Sequence, residues 1–424
     1  MHFNRRTFLQ ASAVAVPSVY LPQVTRASAN ERINVGFIGM GVQSRGHMYG
    51  LLNAENVQVV AVSDVVVARR EDAQKKVNAH YEKKAKGTYK GCAAVNDFRE
   101  IIDRKDIDAV VICTPDHWHA IPCILAARAK KDIYCEKPLT HDIAEGRRIV
   151  EEAAKTQVIF QTGSQQRSEF GGHFRKAVEL VRNGRIGKVK TIKIGVGAPN
   201  KPCDLATEKI PEGTDWEFWL GPAPERGYNK ILCPEGIHNH YPAWRNYREF
   251  AGGGVADMGA HHFDIAQWAL DMDNSGPTKI LPPANNALMG LKLVYSNGVE
   301  MIHEYQDKAP HKDCVFIGEK GTIYVSRAGI SSDPEEIVKT PIGEKEYHVY
   351  PSKSHIGNWV DCIRSRKPTI CPAEVGHRTA TICHLVNIGY QLHKNLTWDP
   401  VAERFDDAEA NKLISREPRA QWKI

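Results

Sequence analysis

A chain of 424 residues is too long for one ordinary core and is sized for two domains. Its 42% hydrophobic and 25% charged content is that of a soluble globular protein, and no uninterrupted apolar run reaches the roughly 18 to 20 residues that a membrane span needs. The formal charge of +6 is small and scattered, which argues against a nucleic-acid partner; the basic run from Lys83 to Lys90 reads as a solvated loop.

In chain order, the first segment joins Arg5-Arg6, a moderately apolar stretch over 11–24 broken by Pro17 and Pro22, and the small-residue site Ala27-Ser28-Ala29. Asn4-Arg5-Arg6-Thr7-Phe8-Leu9-Gln10 resembles the twin-arginine export motif. Residues 1–29 are therefore expected to be a cleaved signal handed to the twin-arginine export machinery. That implies an exported protein, periplasmic if the source is Gram-negative. Cleavage removes Arg5, Arg6 and Arg26 and no acid, which halves the formal charge. The ten cysteines form no Cys-x-x-Cys pair, and Cys113 and Cys135 end apolar runs. This export route moves proteins already folded in a reducing compartment, so the thiols are expected to be small buried hydrophobes and not a disulfide framework.

Near-continuous apolar runs then alternate with helical patterns: RINVGFIGMG, VQVVAVSD, DIDAVVICTP, KDIYCEKP and QVIFQTGSQQR. Such runs predict a parallel sheet covered on both faces. Asp142 is placed to cap a helix over 143–156, with Glu145 completing a capping box. Past Arg167 the pattern changes to alternation in KVKTIKIGVG, to Asn297-Gly298 between two strand-like runs, and to a second hairpin in CVFIGEKGTIYV. These predict an open, mainly antiparallel sheet packed on helices. Residues 198–250, rich in Pro, Gly and Trp, make an unusually long loop region.

The first strand runs into Gly39-Met40-Gly41-Val42-Gln43-Ser44-Arg45-Gly46 and then a helical pattern. Gly39 permits a tight turn, Gly41 lets backbone approach a pyrophosphate, and the helix start offers N–H groups to it. Ser44 stands at the third glycine position, with Gly46 two residues on. Asp64 ends the second strand, where an acid binds ribose hydroxyls and favours NAD; Arg69 and Arg70 leave NADP open. The fold expected is α/β: a Rossmann dinucleotide-binding domain over 30–168, then an α+β domain over 169–424 for substrate binding and oligomerisation.

Glu136-Lys137-Pro138 after a strand, CTPDHWHA before it, and GGGVADMGAHHFDIAQWAL together resemble the signatures of the glucose–fructose oxidoreductase / inositol dehydrogenase (GFO/IDH/MocA) family. The likeness extends to NWVDCIRSRKP and the C-terminal WDPVAERFDDAEANKL. It implies catalytic roles for Lys137, Asp257 and His261. It implies cofactor contacts from Met40, Val42, Ser44, Gly46, Thr114, Pro115, His119, Glu136 and Lys137 besides Gly39, Gly41 and Asp64. It also puts Arg167 near the substrate and implies a homodimer or homotetramer.

These residue types suit alcohol oxidation. An imidazole at His261 titrates near neutrality and serves as base, Lys137 donates to the developing carbonyl oxygen, and Asp257 orients the imidazole or shares the substrate hydroxyl. Four residues separate Asp257 from His261, one turn if the stretch is helical. His238, Asn239, His240, Tyr241, Trp244, Arg245 and Tyr247 form an aromatic, hydrogen-bonding set suited to a sugar ring. The four histidines His238, His240, His261 and His262 show no zinc-like spacing, so no metal is expected. An exported enzyme has no nicotinamide pool to exchange with, so the cofactor is expected to be bound tightly. The expected activity is oxidation of a secondary hydroxyl of a sugar, glycoside or cyclitol. The alternative is a redox-neutral NAD-dependent glycosidase, with His262 or Tyr241 as extra acid/base groups; a non-catalytic sugar sensor is disfavoured by the intact catalytic set.

Overall fold

The structure is a computed structural model, described here for residues 32–84, 89–304 and 311–424. The expected signal and much of the Lys83–Lys90 run lie outside the described residues. Six strands form the first sheet: β1 (Ile33–Ile38), β2 (Val57–Ser63), β3 (Ala93–Val95), β4 (Ala109–Ile112), β5 (Asp132–Cys135) and β6 (Phe160–Thr162). Their order is β3-β2-β1-β4-β5-β6 and every pair is parallel. β2, β4 and β5 are buried at every position, which is why the sequence reads there as unbroken apolar runs and not as alternation. The order reverses between β1 and β4, and that switch opens a crevice at the carboxyl ends of the strands.

Nine strands form the second sheet: β7 (Val189–Ile194), β8 (Lys279–Leu281), β9 (Lys292–Val294), β10 (Glu300–His303), β11 (Cys314–Gly318), β12 (Thr322–Ser326), β13 (Gly329–Asp333), β14 (Leu396–Asp399) and β15 (Arg404–Phe405). Their order is β13-β12-β11-β7-β10-β9-β8-β14-β15, antiparallel except where β7 meets β10. The Asn297-Gly298 signal makes the β9–β10 hairpin, with Val294 opposite Glu300 and Gly298 at φ +86°. One face packs on helices His173–Arg182, Gly259–Ala269 and Ala373–Leu392. Ile192 and Ile194 are fully buried on that face while Lys193 between them is not. Each such isoleucine contributes on the order of 1.5–3 kcal/mol.

Two features go beyond the sequence reading. Residues 198–250, too long for mere connection, build a small core from Trp216, Trp219, Tyr228, Leu232, Trp244 and Phe250. Trp216 and Trp219 stack at 4.8 Å, on a short helix (Trp216–Leu220) capped by Asp215, which accepts from Phe218 N. The segment is sewn to the end of β2 by Asp215 N donating to Val65 O (3.0 Å) and Val67 N donating to Gly213 O (2.9 Å). Secondly, the chain past 350 returns to the first sheet, where helix His355–Ser365 buries Trp359 against Tyr134 at 5.8 Å. A cut at residue 168 therefore does not separate the two cores. All ten cysteines are free and eight of them are buried. Among the described residues no helix is long and apolar enough to cross a membrane.

Candidate active site

The crevice at the switch between β1 and β4 is the mouth of one large cavity. At one end lies the glycine turn. Gly39 has φ +84°, and a Cβ there would meet Cys113 O at 2.9 Å, so both conformation and space require glycine. Gly41 is the N-cap of the helix Val42–Leu52, makes no side-chain cap, and faces open space. Its neighbouring N–H groups are thus left to an anion. Asp64 closes β2 with Oδ2 accepting from Met40 N (2.7 Å) and Oδ1 from Val66 N (2.8 Å), each oxygen retaining a lone pair for a hydroxyl. This donor and acceptor set fits a dinucleotide.

Arg69 and Arg70 have other partners. Arg70 donates to Asp64 O (2.9 Å) and Asn96 Oδ1 (3.0 Å), while Arg69 donates to the carbonyls of Gly236 (2.8 Å) and Pro234. Arg45 bonds His238 O (2.6 Å) and Asn239 Oδ1 (3.0 Å), and Tyr241 OH donates to Gln43 Oε1 (3.1 Å). The stretch 234–241 is thereby strapped over the glycine-turn end.

Of the family-implied cofactor residues, Gly39, Gly41, Val42, Asp64, Thr114, Pro115, Glu136 and Lys137 line the cavity. Met40, Ser44, Gly46 and His119 do not. Met40 and Ser44 are packed beneath the turn and Ser44 Oγ meets Met40 Sδ. Gly46 sits inside the helix, where its amide is spent on the helical ladder. His119 lies between the carbonyls of Pro138 (2.8 Å) and Thr114 (3.0 Å) and braces the two loops.

At the other end Lys137 Nζ lies 2.8 Å from Asp257 Oδ1, and Arg245 approaches the same oxygen at 3.5 Å. Burial works against the charge on Asp257, but the two cations win and hold its carboxyl below the usual range. Arg245 is itself stacked on Trp244 at 4.2 Å, so the 198–250 segment sets the geometry of the ion pair. Glu136, beside Lys137, accepts from Gln165 (2.8 Å) and meets His47 (2.6 Å); burial opposes its charge, yet His47 leaves the carboxyl lowered.

Asp257 and His261 do not share an uninterrupted helix. Gly253–Asp257 ends at Met258 and Gly259–Ala269 starts after it, so Asp257 faces the two cations. His261 lines the cavity with Nδ1 buried and without a hydrogen-bond partner. Burial, then the Lys137 and Arg327 charges, push its imidazole well below its ordinary value, so it is neutral at pH 7.

Two expected substrate residues are elsewhere. Arg167 is 1% exposed and absent from the cavity wall; it is spent on Asp264 (2.8 Å) and Asp273 (2.7 Å) and lies over Trp268 at 4.8 Å. His262, its helix neighbour His261 facing the cavity, points to the sheet side, 3.3 Å from Gly195 O and 3.7 Å from Asp313. Tyr241 and Trp244 do line the cavity. No cluster of metal-ligating side chains occurs among the described residues.

Asp116 and Arg327 are among the wall residues that the sequence reading missed. Asp116 is 5% exposed, and burial, only partly offset by Lys137 and Arg245, pushes its carboxyl up to about 8. It stood in the quoted CTPDHWHA, where a carboxylate between proline and a strand-end turn reads as a cap. Arg327, from the β12–β13 turn, also lines the cavity and had no sequence signal at all.

The chain matches the family described as "Oxidoreductase family, NAD-binding Rossmann fold" over residues 33–164 and "Oxidoreductase family, C-terminal alpha/beta domain" over 199–424. It is 34% identical over 176 residues to a myo-inositol 2-dehydrogenase of Thermotoga maritima, covering 40% of this chain and 47% of that one. It is 26% identical over 236 residues to a glycosyl hydrolase family 109 protein of Stenotrophomonas maltophilia, covering 51% of this chain and 49% of that one. The chain thus spans about half the length of these curated relatives. The solved aldose-aldose oxidoreductase of Caulobacter crescentus, complexed with glycerol, superimposes with a TM-score of 0.57 over 87% of this chain and all of that one, at 16% identity. At that identity the likeness is one of fold.

Proposed function

The chain belongs to the GFO/IDH/MocA oxidoreductase family, and we propose that it oxidises a secondary hydroxyl of a sugar, glycoside or cyclitol with a nicotinamide cofactor held in the cavity. The observation that carries this reading is the Lys137–Asp257 ion pair facing His261 in the same cavity as the glycine turn. When bound, the nicotinamide supplies the hydride acceptor. Residues 39–42 would hold its pyrophosphate and Asp64 its ribose, which favours NAD. Lys137 Nζ, held in place by its ion pair with Asp257, donates to the substrate oxygen as that oxygen becomes carbonyl. The neutral His261 takes the hydroxyl proton on the ring nitrogen that meets the cavity, since Nδ1 is buried. Trp244 and Tyr241 offer ring faces to the sugar.

Tight retention of the cofactor is part of the proposal. Its support is the 234–241 strap, fixed by Arg45, Arg69 and Tyr241 over the glycine-turn end. Retention suits export through the N-terminal signal read in the sequence, since an exported enzyme cannot exchange spent cofactor. Self-association as a dimer or tetramer belongs to the same proposal.

A second reading is the redox-neutral glycosidase, favoured by one observation: Asp116 keeps a proton near neutral pH and stands in the cavity wall, a donor for a departing glycosidic oxygen. The partial likeness to a family 109 hydrolase agrees with it. The test is to purify the protein without added nucleotide and follow nicotinamide absorbance while offering free sugars, cyclitols and glycosides. Stable reduction, reversed by a second carbonyl compound, is expected. Glycoside cleavage without net reduction would select the second reading, and protein arriving free of nucleotide would overturn tight retention.

A further inference from the structure

Three arginines line the cavity, and they are not equivalent. Arg69 is spent on the carbonyls of Pro234 and Gly236, and Arg245 on Asp257 and Pro242 O. Arg327 has no carboxylate within ion-pair distance among the described residues. It is nevertheless held in place. Its guanidinium lies over the Phe170 ring at 4.6 Å, and its Nε donates to the side-chain oxygen of Gln166 at 3.1 Å. The amide nitrogen of that same Gln166 donates to His261 O at 3.0 Å, so one side chain ties Arg327 to the backbone of His261. Arg327 is at the same time part of the cavity wall.

Asp257 is shared by Lys137 and Arg245, while Asp313, Asp257 and Glu169 act on Arg327 only through space, none of them within ion-pair distance among the described residues. A guanidinium stays charged at any physiological pH and presents a planar fork that matches a carboxylate. A cation fixed beside the reacting groups with no direct ion-pair partner is suited to bind an anion carried by the substrate.

We propose that Arg327 binds a carboxylate of the substrate, so that the cavity takes an acidic sugar of the uronate type, with a ring hydroxyl between Lys137 and His261. This rests on the oxidoreductase reading for the hydroxyl and on Arg327 alone for the carboxylate. The two fail separately. The experiment uses the holoenzyme and matched pairs: glucuronate with glucose, galacturonate with galactose, and their methyl glycosides. Reduction of bound nicotinamide reports chemistry; quenching of tryptophan emission, with Trp244 and Trp219 in the wall, reports binding.

Wild type is expected to prefer the uronate of a pair, and Arg327→Met to lose about 10- to 100-fold of that preference, the size of a hydrogen bond to a charged group. Arg327→Lys, which keeps charge without the fork, should retain part of it. Uronate quenching that Arg327→Met abolishes, with no nicotinamide reduction, would uphold this inference while sinking the oxidoreductase reading. Equal use of both members of each pair, an unchanged preference in Arg327→Met, or a preference for sulfated or phosphorylated sugars over uronates would each overturn it.

Discussion

The two ends of the cavity are built in different ways. At the glycine turn the groups offered are main-chain N–H atoms and one carboxylate, all from residues 39–64, and their side-chain partners are local or backbone. At the catalytic end the groups are side chains brought from the loop after β4, the end of β5, the 198–250 segment, the Met258 break and the β12–β13 turn. Protonation at the second end is displaced: Asp116 up, His261 down, Asp257 down. Recognition of a common cofactor thus rests on backbone geometry, while chemistry rests on desolvated charges that only the fold assembles.

The sharpest break of this contrast is Lys137→Ala. Hydride transfer is expected to fall about 10³-fold while nucleotide stays bound, because the donor to the reacting oxygen is lost and the glycine turn is untouched. Near-normal turnover, measured as reduction of bound nicotinamide, would dismiss Lys137 from the chemistry.

Arg167→Met probes a charge that faces neither end. With Asp264 fully buried and stripped of its main partner, unfolding free energy should drop by about 3–5 kcal/mol in denaturant titration. A change confined to substrate KM in a protein of unaltered stability would restore the substrate role read from the sequence.

Asp116→Asn examines the displaced protonation itself. In the unfolded chain this carboxyl titrates near its ordinary value of about 4, and in the folded one at about 8. A raised pKa stabilises the fold fully at low pH and loses that contribution as pH rises through 8. Melting temperature should therefore decline between pH 4 and 8 more steeply in wild type than in the variant. Parallel declines would mean that Asp116 is ionised in the folded protein.

The mildest change expected is at the glycine-turn end. Arg69→Ala frees the strap from two carbonyl contacts and should speed nucleotide release about tenfold, the equivalent of ~1.4 kcal/mol, read from fluorescence of the reduced cofactor after dilution. An unaltered release rate would show that the strap does not gate exchange.

Much of the first end was legible in sequence because its chemistry is local. Gly39 needs its φ of +84° and its missing Cβ, Asp64 follows a strand, and both demands leave a residue type at a fixed place. The family signatures placed Lys137, Asp257 and His261 in one cavity wall, but not their pairing: the break at Met258 aims Asp257 at Lys137 instead of at the imidazole. Arg167 was misread because a conspicuous arginine at a strand end looks the same whether it meets a sugar or two buried aspartates. The trytophan-rich 198–250 segment was recognised as too long for a connection, yet its folding on its own core and over the nucleotide end left no periodic trace.

By itself, then, the amino-acid sequence determined the two kinds of sheet, the hairpin at Asn297-Gly298, the dinucleotide turn and the membership in a family of oxidoreductases. Periodicity, glycine geometry and short motifs are properties of neighbouring residues, and they survive in one dimension. Tertiary structure alone decided which charges are paired, which carboxyl keeps its proton, and that Arg327 comes from a distant turn to stand beside His261. Those outcomes depend on burial and on distances between segments far apart in the chain, and electrostatic energy is set by both.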